Sequence, residues 1–216
     1  MKFRLPNRSS IALTMIEVLV IVVGVFILSL FLLFPGPSRA GPKARKIQCT
    51  SNLKQIGVST RNFASEHNGK FPIEVPVEEG GTKGVASFGV VVPHFLVLSY
   101  DLATPRLLNC PTDKRTVATN FDELRDINLS YFAGLDVSST LPSALLAGDR
   151  NITNGELVTS RILTLRTNQP VAWTPDLHQH CGAVLLADGS VQLTTSSSLR
   201  ALLRYSGMTT NRIALP

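Results

Sequence analysis

Residues 9–34 read SSIALTMIEVLVIVVGVFILSLFLLF, and the rest of the chain has to be understood against this stretch. It is apolar almost throughout. At a helical rise of about 1.5 Å per residue, residues 13–34 are long enough to cross roughly 30 Å of hydrocarbon, so the sequence predicts a membrane-spanning helix. A secretory signal peptide has a shorter apolar centre, roughly 7 to 15 residues, closed by small residues at a cleavage site. Here the run ends in Phe34-Pro35-Gly36-Pro37 and is expected to be retained. Glu17 does not belong in such a segment, because a carboxylate in a bilayer costs a few kcal/mol or more and asks for a partner.

Before this run stands a short basic leader with Lys2, Arg4 and Arg8, then Ala12, then Leu13-Thr14-Met15-Ile16-Glu17. This order resembles the type IV prepilin class, which includes the pseudopilins of type II secretion. In that class a dedicated inner-membrane peptidase cuts after a small residue, and the carboxylate is fifth after the cut, as Glu17 is after Ala12. Ala12 and Leu13 stand where the class usually has Gly and then Phe or Met, which implies slower cleavage. The resemblance implies that the new α-amino group of Leu13 in one subunit pairs with Glu17 of its neighbour, where a low dielectric makes an unpaired charge expensive. The competing reading is an ordinary signal anchor with one stray polar residue.

A chain of 216 residues has room for that helix and one globular domain. The formal charge of +6 comes partly from the leader and from Arg39, Lys43, Arg45 and Lys46. No aromatic-rich strand or recognition helix accompanies the cluster, so no nucleic-acid partner is expected. It reads instead as a solvated or headgroup-facing collar against a lipid bilayer. Cys49, Cys110 and Cys181 are too widely spaced for a CxxC site, and outside the cytoplasm one disulfide and one free thiol is the simplest arithmetic, with the pair left open. The four histidines do not combine with these cysteines at ligand spacing, so no metal and no cofactor is expected.

Residues 35–42 hold three prolines and two glycines and predict a break. Helical periodicity returns over 43–67, with Leu53, Ile56, Thr60, Phe63 and Ala64 on one face, and Asn68-Gly69 as a left-handed stop. Residues 88–98 are apolar but interrupted by Pro93 and carry no clear preference. Strands are predicted over 128–135, 144–147 and 161–166. Residues 183–187 and 190–194 predict a hairpin, with Asp188-Gly189 as a two-residue turn at positive φ. Ser196-Ser197-Ser198 opens a short helix through Tyr205 with Leu199, Leu202 and Leu203 on one face and Gly207 as stop. The fold class expected is α+β and pilin-like: a long N-terminal transmembrane helix, broken near 35–42, packed on a small antiparallel sheet. The domains expected are a leader (1–12), a transmembrane helix (13–34), the break (35–42), an amphipathic helix (43–67) and a periplasmic globular domain (68–216).

The stretch from Cys49 to Gly57, with His67-Asn-Gly-Lys-Phe-Pro72 after it, resembles the segment behind the membrane helix in DUF1559-like pilin proteins of the planctomycete and verrucomicrobial groups. Those proteins carry a carboxy-terminal signature of His, nine residues, then Asp-Gly. His178 and Asp188-Gly189 stand at that spacing here. In that family a Cys-Pro turn also follows the central region, which implies that Cys49 pairs with Cys110 and leaves Cys181 free.

His178, His180 and Asp188 are the residues from which a metal or acid–base cluster could be built, yet Asp188 is accounted for by its turn and no third ligand is in view, so no catalytic residue is assigned. His178 is expected to hold the hairpin by a hydrogen bond. Glu74, Glu78 and Glu79 form an acidic loop of the kind that binds calcium in the major pseudopilins, but no alternating oxygen-ligand pattern accompanies it. There is no G-x-S-x-G, P-loop or Rossmann glycine pattern. The function expected is a structural pseudopilin subunit, not an enzyme. It would be cut by prepilin peptidase and assembled with other pilin subunits on an inner-membrane platform into a type II secretion or type IV pilus-like filament. It would sit as a single-pass inner-membrane protein with a periplasmic carboxy-terminal domain. The alternative is a membrane-anchored periplasmic enzyme or binding protein.

Overall fold

The computed structural model describes residues 14–33, 41–156 and 161–216, with side chains of the first segment described through Leu30. The chain divides into two compact units, Met1–Ala40 and Gly41–Pro216. The leader, the Ala12/Leu13 cleavage site and residues 35–40 of the Pro/Gly break lie outside the described residues. Gly41 and Pro42 are described, and they open a helix as its cap and first residue.

The described residues of the first unit form helix α1 (Met15–Leu33). The transmembrane helix in the expected fold class is corrected: among the described residues, no helix is long and apolar enough to cross a membrane. Helix α1 covers 19 residues, about 28 Å at 1.5 Å per residue, with Glu17 in its first turn, and so falls short of the roughly 30 Å of hydrocarbon. What remains is a short apolar helix whose side chains, from Met15 through Leu28, are exposed.

The second unit opens with α2 (Pro42–Glu66), started by Pro42, whose missing N–H costs nothing at a helix's first position. Cys49, Leu53, Ile56, Phe63 and Ala64 are buried along one face at spacings of three and four. The helix stops where Asn68 and Gly69 both take positive φ and Gly69 N–H returns to Ala64 C=O at 2.7 Å. Residues 88–98 resolve into α3 (Val92–Leu96), with Pro93 in its first turn, followed by α4 (Ser99–Leu102). Then come β1 (Tyr131–Gly134), β2 (Leu145–Asp149), β3 (Ile152–Thr153), β4 (Ile162–Arg166), β5 (Ala172–Trp173), β6 (Cys181–Leu186), β7 (Val191–Thr195), α5 (Ser196–Tyr205) and β8 (Thr210–Ala214).

Six strands form one antiparallel sheet in the order β4-β8-β1-β2-β6-β7, and β3 pairs with β5 separately. Successive side chains of a strand point to opposite faces, and the burial follows that rule. Tyr131, Ala133, Ala183 and Leu185 join α2 in one core, whereas Phe132, Val184 and Leu186 join Leu199 and Leu203 of α5 in another. The central strand β6 is therefore apolar on both faces. Leu145 and Ala147 of β2 would share a face but fall in different cores, because the register shifts by a bulge between them. Helix α2 lies so close to β6 that a Cβ at Gly57 would stand 2.9 Å from Leu185 Cδ1. Any larger residue there would push the end of the Leu185 side chain aside.

The β6–β7 hairpin differs from the two-residue turn expected at Asp188-Gly189. Leu186 N–H donates to Ser190 C=O at 2.9 Å and Gly189 N–H to Leu186 C=O at 2.8 Å, so the loop has three residues, Ala187, Asp188 and Gly189. Only Gly189 takes positive φ there, at 77°. This is a type I turn followed by a left-handed glycine, and Asp188 contributes by accepting from Ser190 N–H at 2.7 Å.

Candidate functional site

Glu17 in the first unit has a partner within its own helix. Its Oε2 accepts from the Thr14 backbone N–H and from the Thr14 hydroxyl, both at 2.8 Å, while Glu17 N–H donates to Thr14 Oγ1 at 3.4 Å. This is a capping box, which satisfies donors that the first turn of a helix leaves orphaned. The pattern Thr-x-x-Glu is readable in the sequence but is masked by the stronger prepilin pattern around it.

In the second unit the polar groups converge under the amino-terminal half of α2. Cys49, on α2, and Cys110, in the turn before Thr112, form a disulfide, and Cys181 is a free thiol at the start of β6. His178 lies against this disulfide, with Nε2 3.4 Å from Cys110 Sγ and Nδ1 3.3 Å from Thr112 Oγ1. Thr112 Oγ1 is also 2.8 Å from Cys110 Sγ. A consistent proton order runs from His178 Nδ1–H to Thr112 oxygen and from Thr112 O–H to sulfur, leaving the Nε2 lone pair directed at the cluster. On that side stands Asp149 of β2, its Oδ2 3.5 Å from Nε2, with both side chains fully buried.

His178 does not hold the hairpin, and His180 does not share its face, as an extended segment would require. Gln179 and His180 both take left-handed φ, 53° and 62°, a conformation that costs of order 1–3 kcal/mol at each non-glycine residue. That turn sends His178 inward to 2% exposure and His180 outward, where its Nδ1 lies 3.3 Å from Trp173 C=O.

Electrostatics in the cluster is governed by burial. It pushes the Asp149 carboxyl up to about 7, against one hydrogen bond from Ala183 N–H at 2.7 Å. Among the described residues Asp149 Oδ1 has no hydrogen-bond partner. Burial, and then the charge of Lys46, lowers the His178 imidazolium below its ordinary value. Burial first and Asp149 second raise the Tyr131 hydroxyl well above its own. The cluster therefore favours uncharged groups around sulfur. Thr112, Tyr131 and Asp149 carry no local sequence signal, since they reach the cluster only through folding.

Cys49, Cys110 and His178 offer ligand atoms that lie within 4.8 Å of one another, although their spacing in the chain suggested no such meeting. Glu74, by contrast, is consumed locally: its carboxylate accepts from Phe71 N–H at 2.9 Å, Ser138 hydroxyl at 2.7 Å and Ser139 N–H at 3.2 Å. It ties one loop to another.

The second unit is thus an α+β domain in which one long helix is bonded through a disulfide to the loop ahead of the sheet. Residues 39–97, which take in all of α2 and α3, match the profile of the family described as "Protein of unknown function (DUF1559)". No curated protein and no solved structure matches the chain.

Proposed function

We propose that this chain is a pilin-like structural subunit that is cut between Ala12 and Leu13 by a prepilin peptidase and joins a filament through α1. The observation that carries this reading is the exposure of an almost wholly apolar helix, with Met15, Ile16 and Val18 through Val23 each open to solvent. Exposed apolar area of that extent marks an interaction surface, and copies of the same helix offer the matching apolar partner. The disulfide supports an extracytoplasmic globular unit, since such bonds persist in oxidising compartments. The reading as an anchored enzyme is disfavoured by access: His178 is 2% exposed and Asp149 0%, so substrate has no route to the most reactive-looking groups. The test is the intact mass of the protein extracted from cells with an active prepilin peptidase. A chain beginning at Leu13 supports the proposal, and one beginning at Met1 overturns it.

A further inference from the structure

The meeting of His178 with the disulfide has a consequence that lies outside filament assembly. We propose that reduction of the Cys49–Cys110 bond converts this cluster into a closed site for a thiophilic divalent cation of the zinc type, held by Cys49 Sγ, Cys110 Sγ and His178 Nε2. Two thiolates and one imidazole, drawn from three separate segments, are three of the four tetrahedral ligands that zinc takes from cysteine and histidine.

The geometry is close to that required. Zinc–sulfur bonds of about 2.3 Å and zinc–nitrogen bonds of about 2.0–2.1 Å at tetrahedral angles place sulfur and nitrogen about 3.5 Å apart. Cys110 Sγ and His178 Nε2 are 3.4 Å apart already. On the same tetrahedron two sulfurs stand about 3.7 Å apart, so the bonded pair needs only to separate by side-chain rotation. Asp149 Oδ2 lies 3.5 Å from Nε2 but outside the set of three ligand atoms that stand within 4.8 Å of one another, so it would have to move inward to take the fourth position. Asp149 Oδ1 is a buried oxygen without a hydrogen-bond partner among the described residues, which is the condition of a group waiting for a donor or a cation.

The outer contacts suit a metal ligand too. His178 Nδ1 is 3.3 Å from Thr112 Oγ1, the kind of hydrogen bond that fixes the tautomer with Nε2 free to ligate. Thr112 Oγ1, 2.8 Å from Cys110 Sγ, can donate to a thiolate there. Exposed Pro111 marks the turn that has to lift for a reductant to reach Cys110.

The chemistry balances. A dithiol reductant gives two electrons and two protons to the disulfide and leaves as its own cyclic disulfide, producing two cysteine thiols. The divalent cation then replaces both thiol protons, which pass to solvent. Metal and disulfide are alternative cross-links between the same segments, so the fold keeps α2 fastened in either redox state.

Cobalt(II), which reports thiolate ligation through its charge-transfer band, is the probe. The full chain is reduced with a dithiol, desalted without oxygen and titrated with cobalt alone, with far-ultraviolet circular dichroism followed in parallel. The proposal expects one equivalent to bind with thiolate-to-cobalt charge transfer and tetrahedral d–d bands in reduced protein, none in oxidised protein, and an upward shift of the melting temperature on adding zinc. Cys181→Ser should keep the bands, and Cys49→Ser and His178→Ala should each lose them. A reduced chain that has partly unfolded and refolds on adding metal also supports the site. A reduced chain, folded or not, that shows no charge-transfer band overturns it. So do bands that vanish in Cys181→Ser but survive in Cys49→Ser and His178→Ala.

Discussion

Arg150 grips Asp113 through two parallel hydrogen bonds, Nε to Oδ2 at 2.8 Å and Nη2 to Oδ1 at 2.9 Å. Burial opposes the charge on Asp113, yet the bonds from Arg150 and from the Ser130 hydroxyl hold its carboxyl below the ordinary range. The pair fastens the turn that carries Cys110 and Thr112 to the end of β2, where Asp149 sits. Removing one partner of a buried pair leaves the other uncompensated, at about 3–5 kcal/mol when both are fully buried. Asp113 is 1% exposed and Arg150 23%. Asp113→Ala is therefore expected to lose about 2–3 kcal/mol in urea unfolding at pH 7 with the disulfide intact. Arg150→Lys keeps the charge without the fork and should lose less.

His94 of α3 gives the pH dependence. Its Nδ1 meets the Thr82 hydroxyl at 2.8 Å, and burial lowers its pKa from the ordinary 6.5 to about 4. The unfolded chain takes up a proton that the folded one refuses. Stability from this group is therefore complete above about pH 6.5 and is lost as pH falls towards 4, with a slope of up to about 1.4 kcal/mol per pH unit. Asp149, its carboxyl pushed up to about 7 by burial, titrates with the opposite sign over the same range, so the readout of denaturant titrations is a difference: stability should fall with acid more in the parent protein than in His94→Gln. Equal slopes would remove His94 from the account.

At the hairpin, Gly189 combines a φ of 77° with a close approach, since a Cβ there would run into the Arg61 guanidinium of α2. Gly189→Ala should cost about 1–2 kcal/mol for the backbone, plus whatever Arg61 needs to move. In an Arg61→Ala background only the backbone part should remain. A cost in the double mutant equal to that in the single would show that Arg61 yields freely.

Much of this was readable where the signal is local. The periodicity of α2, its Asn68-Gly69 stop, and the leucines of α5 each lie within a few residues of the structure that they specify, although the cap of α5 is Thr195, one residue before the serines. The loop between β6 and β7 was legible in place but not in type, because Asp-Gly serves both a two-residue and a three-residue turn. Strand β8 escaped notice because Thr210-Asn-Arg-Ile-Ala has little pattern of its own. It becomes a strand only by lying between β1 and β4. The Cys49–Cys110 pair and the free Cys181 are as the family resemblance implies, but the meeting of His178 with that disulfide was illegible for a similar reason. Cys49 and Cys110 are separated by 61 residues and Cys110 and His178 by 68, so motif spacing has nothing to detect. At α1 the apolar run of residues 13–34 predicts a span even with Glu17 out of place in it, whereas the helix described covers Met15–Leu33.

The central claim is that α1 assembles with other subunits, and Glu17 separates the charge needed for that from the cap seen here. Glu17→Gln can still accept from Thr14 N–H, so it keeps the cap and loses only the charge, whereas Glu17→Val loses both. The measurement is chemical crosslinking with recovery of sheared filaments, beside total processed protein, for the parent and both variants. The account predicts crosslinked multimers in the parent, and a fall of at least tenfold in both variants at unchanged levels of processed chain. Parent protein recovered only as monomer, or Glu17→Gln assembling as the parent does, would contradict it.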